Sequence, residues 1–213
     1  MKTEVRQLKA LTLIEVLVVI AILFVLAALF LPAHSSKDRR IECAIHLKQI
    51  GLGFAMWADD HKGQSLWQVP VPNGGTLESI STDHTFPHFE KLSNYVRQPQ
   101  LFLCPSDKAR HAATNYASLS DKNISYFLNV DLSANSPSAS IVAGDRNLQA
   151  NGQPVKPGLF ILTTNLDMSW TRELHGVGGY LAFADGHSEW IRTNRLNEII
   201  QSRNPATNRL AVP

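Results

Sequence analysis

The pattern of apolar and polar positions changes character along the chain. Residues 11–31, LTLIEVLVVIAILFVLAALFL, are apolar apart from Thr12 and Glu15. As one helix rising 1.5 Å per residue, about 21 residues span about 31 Å, close to the roughly 30 Å hydrocarbon core of a bilayer. Apolar residues then recur at helical spacing in two stripes: Ile41, Ala44, Ile45, Leu52, Ala55 and Met56, and Leu47, Ile50, Phe54 and Trp57. Two stripes predict a helix wrapped by the rest of the domain. Ser35 or Ser36 is placed to cap its start, and Lys62-Gly63 to break it. Gly51 and Gly53 weaken it by about 1 kcal/mol each. Joined to the first run, it predicts one long helix, kinked at Pro32 and ending near Asp59.

Residues 61–123 are rich in Pro, Gly, Ser and Thr and read as loops, with a helical turn or two over 86–95 and a short strand in LFLCPSD ending at Pro105. From 124 to 195 the character is β: ISYFLNV, SIVAGDRN and GLFILTTN are bounded by turn residues. GGYLAFADGHSEWIRT gives the strongest hairpin signal, two alternating runs about Asp185-Gly186, a pairing suited to a type I′ turn. RLNEIIQ reads as a short helix or strand, and the tail NPATNRLAVP as loose. Helix first and strands after predict an α+β class, with an antiparallel sheet packed on the second half of the long helix.

The first run admits three readings. A cleaved secretory signal has a core of about 7–15 apolar residues, shorter than this one, although Ala27, Ala28 and Ala33 imitate its cleavage site. A plain signal anchor leaves Glu15 unexplained, since a carboxylate in a span costs about 2.5–3.5 kcal/mol on insertion scales. The third reading rests on Lys9-Ala10-Leu11-Thr12-Leu13-Ile14-Glu15-Val16-Leu17, behind a leader carrying Lys2, Arg6 and Lys9. This segment resembles the class III signal of type IV prepilins and type II secretion pseudopilins. The resemblance implies a leader of residues 1–10, a cut between Ala10 and Leu11, and methylation of Leu11 as the new terminus. It places Glu15 at the fifth mature position and Pro32 at the kink of the pilin helix. Ala10 stands where the family usually has Gly. Glu15 would then pair with the terminal amine of a neighbouring subunit's Leu11, a buried pair that sets register more than it stabilises.

A second resemblance lies in HLKQIGLGFAMWADDHKG after Cys43, and in His175, nine residues, then Asp185-Gly186. These resemble a pseudopilin-like family of exported proteins marked by His-x9-Asp-Gly. The mark itself assigns no chemistry. Asp185-Gly186 is first a tight turn, which His175 is placed to hydrogen-bond, with binding, processing and catalysis as rarer roles.

Together these imply a prepilin-like assembly subunit, not an enzyme, with residues 11–31 as transmembrane and assembly helix and 32–213 as an extracytoplasmic pilin-like domain. The implied location is the inner membrane, single-pass, leader inside. Its partners would be a prepilin peptidase/methyltransferase, sibling pilin-like subunits in a pseudopilus or filament, and membrane lipid. A membrane-tethered binding protein or enzyme that uses the signal only for export is the rival. The two cysteines, Cys43 and Cys104, fit an oxidising exterior, where a disulfide closing so long a loop contributes about 4 kcal/mol; two independent buried thiols are the alternative.

The net charge of +2 implies no nucleic-acid partner. Lys37, Arg39 and Arg40 suit lipid headgroups. Asp59 and Asp60 are weak calcium candidates lacking the alternating oxygens of an EF-hand, and solvated helix-end charge explains them as well. His175, Asp185 and His187 form a weak zinc grouping. No phosphate loop, nucleophile elbow or CxxC pair is present, and no cofactor is expected.

Overall fold

The computed structural model describes residues 12–30, 36–133, 135–203 and 208–213. The chain divides into two compact units, Met1–Ser35 and Ser36–Pro213. In the first, α1 runs over Leu13–Phe30. Its start is closed by a capping box: the Thr12 amide and hydroxyl both donate to Glu15 Oε2 at 2.7 Å, and the Glu15 amide points back at Thr12 Oγ1. Twelve large apolar side chains of α1, from Leu13 to Leu26, are 44–79% exposed.

This corrects the predicted fold class and location. The long kinked helix ending near Asp59 is not found among the described residues. The second helix, α2, starts at Ser36 in the other unit and ends at Asp60. At 18 residues α1 is about 27 Å long, and no helix among the described residues is long and apolar enough to cross a membrane. A single-pass inner-membrane protein is therefore not supported, and the pilin architecture of one long helix gives way to a mostly antiparallel β-sheet domain. Ala10, Leu11 and Pro32 lie outside the described residues.

In the second unit, α2 buries one edge only. Cys43, Leu47, Ile50, Phe54 and Trp57, spaced by four and three, are at most 7% exposed. The other predicted stripe faces out: Ile41, Ile45, Leu52 and Met56 are 44–59% exposed. Gly53 lets α2 approach the following segment, since a Cβ there would meet Val96 Cγ2 at 2.7 Å. Residues after α2 form short 3-10 turns and the brief helix α3 (Phe86–Glu90). LFLC is among them rather than a strand, because Pro99 opens a 3-10 turn through Phe102.

The sheet follows. Its strands are β1 (Tyr126–Asn129), β2 (Ile141–Asp145), β5 (Gly158–Leu162), β7 (Gly178–Phe183), β8 (Ser188–Arg192) and β9 (Asn208–Val212), in the order β5-β9-β1-β2-β7-β8. Every pairing is antiparallel. A smaller sheet holds β3 (Leu148–Ala150), β4 (Gln153–Pro154) and β6 (Met168–Trp170). Alternate side chains point to opposite faces. Tyr126, Leu128 and Ala182 join the α2 core, while Phe127, Leu181, Phe183, Leu210 and Val212 join a second core with Leu196, Ile199 and Ile200. Those last three lie on α4 (Thr193–Arg203). Because both faces are covered, β1 and β2 are buried throughout.

Two expectations change here. The loose tail is β9, a buried strand paired on both sides. The β7–β8 turn is not type I′, which needs positive φ at both central residues. Only Gly186 is left-handed, at φ 85, and its amide donates to Phe183 O at 2.9 Å.

Candidate functional site

Four buried side chains from four separate segments converge between α2 and the sheet: Cys43, Cys104, Asp145 and His175. Cys43 projects from the buried edge of α2. Cys104 opens a turn with Pro105 second, closed by the Asp107 amide donating to Cys104 O at 2.8 Å. Asp145 ends β2, where its register partner on β1 is Tyr126. His175 comes from the loop before β7, its carbonyl accepting from Arg40 at 3.3 Å. Its ring packs edge-on against Tyr180 and Trp190.

The contacts form a closed circuit. Cys43 Sγ is 2.8 Å from Cys104 Sγ, and both are free cysteines. Cys104 Sγ is 3.3 Å from His175 Nε2, which is 3.5 Å from Asp145 Oδ2. Asp145 Oδ1 is 3.5 Å from Cys43 Sγ. Around the circuit, the Tyr126 hydroxyl lies 3.3 Å from Cys43 Sγ, and the Tyr180 amide donates to Asp145 Oδ2 at 2.8 Å.

Burial dominates the electrostatics, because a low-dielectric site disfavours each charged form. It pushes the Cys43 thiol well up, helped by Cys104 and Asp145. It lifts the Asp145 carboxyl to about 7, although the Tyr180 amide and Cys43 pull the other way. It lowers His175 to about 4, assisted by the Arg40 charge. Burial thus disfavours the charged forms of Cys43, Asp145 and His175.

The sequence reading placed Cys43 and Cys104 together as a possible disulfide and named His175 in the family mark, but did not join His175 to the cysteines. The structure brings these three together and leaves the other half of the His-x9-Asp-Gly mark elsewhere. Asp185 is exposed at the far end of β7 and binds its own neighbour, His187, through ring and backbone. The six residues of β7 alone extend roughly 20 Å, so His175 cannot reach that turn. Tyr126 was missed, and Asp145 was given no role in a site, although as a carboxylate it closes the apolar run SIVAG. Asp59 and Asp60 lie exposed on the last turn of α2, where Asp60 accepts the Tyr95 hydroxyl at 2.7 Å. A cavity of about 650 Å³ lies against Phe183, Asp185 and Lys48, apart from the four-residue cluster. No family model, curated protein or solved structure matches this chain.

Proposed function

We propose that this protein is a prepilin-type assembly subunit, trimmed before Leu11 and methylated there, whose α1 packs against α1 of sibling subunits in a pseudopilus or pilus-like filament. The observation that carries the reading is α1 itself. A helix apolar on all sides is ordinarily buried. Here twelve large apolar side chains stand exposed in the single chain. Covering each is worth about 1.5–3 kcal/mol, so association of such helices is strongly favoured. The exposed stripe Ile41, Ile45, Leu52 and Met56 on α2 supplies a further apolar strip for contact between subunits.

Trimming before Leu11 leaves the Thr12–Glu15 cap intact. The cap presents the Glu15 carboxylate at the helix start, exposed, where a neighbour's terminal amine can meet it. The test is mass spectrometry of the mature N-terminus after co-expression with a prepilin peptidase. The expected chain starts at Leu11 and carries one methyl group. A chain still starting at Met1, or starting beyond Ala33, overturns the proposal.

A further inference from the structure

We propose that Cys43, Cys104, Asp145 and His175 are the four ligands of a closed site for a tetrahedral divalent cation of the zinc type. This inference is independent of the assembly proposal. The argument begins with donor type. Two sulfurs, an imidazole nitrogen and a carboxylate oxygen are a set that favours zinc over magnesium or calcium, which prefer oxygen alone.

Geometry comes next. With metal–sulfur bonds of about 2.3 Å and metal–nitrogen or –oxygen bonds of about 2.0–2.2 Å, the edges of the ligand tetrahedron measure roughly 3.4–3.8 Å. The Cys104–His175 contact, at 3.3 Å, already stands near those lengths, as does one Asp145 contact, 3.5 Å from Cys43 through Oδ1 or 3.5 Å from His175 through Oδ2. All four ligand atoms lie within 4.8 Å of one another. The sulfurs, at 2.8 Å, must part by about 1 Å.

Orientation and charge agree. The Tyr180 amide fixes Asp145, and the Tyr126 hydroxyl reaches Cys43 Sγ, the kind of outer contact that orients metal ligands. Two thiolates, a carboxylate, a neutral imidazole and a dication sum to −1. The half-buried Arg40 beside His175 balances that charge. A cleft of about 240 Å³ lined by Arg40, Ser106 and Glu173 reaches His175 from outside and gives an entry path.

A Cys43–Cys104 disulfide is the competing use of the sulfurs. It accounts for two of the four convergent groups and leaves a buried carboxyl and a buried imidazole aimed at a bond that offers no proton. The metal accounts for all four. With four protein ligands and exposures of 0–4%, the site keeps no open coordination position. Its role is structural: it ties α2, the Cys104 turn, β2 and the loop before β7.

The full chain, produced with zinc in the medium and purified under reductant without chelator, is assayed for metal by mass spectrometry of the elements and of the intact protein. One equivalent per chain is expected. Replacement by cobalt should give thiolate charge-transfer absorption and the intense visible bands of a tetrahedral centre. Cys104→Ser should lose at least about tenfold in metal content, whereas His187→Ala should keep it. Should Cys104→Ser fail to fold, chelation of the wild-type protein decides: its thermal midpoint should fall and return on adding zinc. A folded wild-type chain holding no metal, whether its thiols are free or joined as a disulfide, overturns the site.

Discussion

Arg146 grips Asp107 with both ends of its guanidinium, Nε to Oδ2 at 2.8 Å and Nη2 to Oδ1 at 3.0 Å. The carboxylate is fully buried, and Ser125 adds a third donor at 2.8 Å. Burial alone would raise the Asp107 pKa. The Arg146 and Ser125 hydrogen bonds, with the charges of Arg146 and Arg110, outweigh it and hold the group below its ordinary value. Arg146 directly follows Asp145, so this pair anchors the end of β2 at the four-residue cluster. Asp107→Ala, which leaves the guanidinium to Glu173 alone and the Ser125 hydroxyl without its acceptor, is expected to cost about 1–3 kcal/mol in urea unfolding. A loss below about 1 kcal/mol would show the pair to be ornamental.

His88 predicts a pH dependence. It is fully buried, its Nδ1 lies 2.7 Å from Thr76 Oγ1, and its Nε2 has no partner among the described residues. Burial lowers its pKa from 6.5 to about 4. The unfolded chain therefore takes up the proton first as pH falls. Stability is complete above 6.5 and declines toward pH 4, by up to about 3 kcal/mol from this group. His88→Asn retains a polar atom near Thr76 and cannot titrate. Urea midpoints across this range should fall more steeply for the wild type than for His88→Asn, and equal slopes would exclude His88 as the cause.

Glu15 has two candidate duties, and one substitution separates them. Gln serves the third position of a capping box as well as Glu does but carries no charge. Glu15→Gln should therefore preserve α1 and impair filament assembly, whereas Glu15→Ala should weaken both. Normal assembly of Glu15→Gln would reduce the residue to a cap.

The exposed flank of α1 can be tested directly. Val19→Asp places a carboxylate amid side chains proposed to meet sibling helices, and costs about 2.5 kcal/mol or more wherever that surface is desolvated. Sedimentation should show assemblies lost, while circular dichroism shows the unit Ser36–Pro213 still folded. Unchanged assembly would remove α1 from the interface.

Some of this architecture was legible in the residues. Leu47, Ile50, Phe54 and Trp57 announce a buried helix edge because one face of a helix repeats every three or four residues. Gly178–Phe183 and Ser188–Arg192 announce a hairpin because they flank a turn dipeptide. The outward stripe of α2 has the same periodicity as the buried one, so pattern alone could not tell which would be covered. Thr12 and Glu15 carry a cap signature, which the long apolar run around them masks. Asp145 meets Cys43 across 102 residues, and no local spacing encodes such a meeting. Asn208–Val212 read as tail because it is short and follows Pro205, yet its partners on both sides bury it.

That last strand constrains how the molecule comes into being. β9 lies between β1 and β5, about 80 residues from β1 and about 50 from β5, and those two strands have no ladder with each other. A pairing that closes so large a loop is slow to form. During synthesis the ribosome must pass Val212 before the six-stranded sheet can become continuous. Until then the edges of β1 and β5 that β9 covers stand open, and an open strand edge is a template for pairing with another chain.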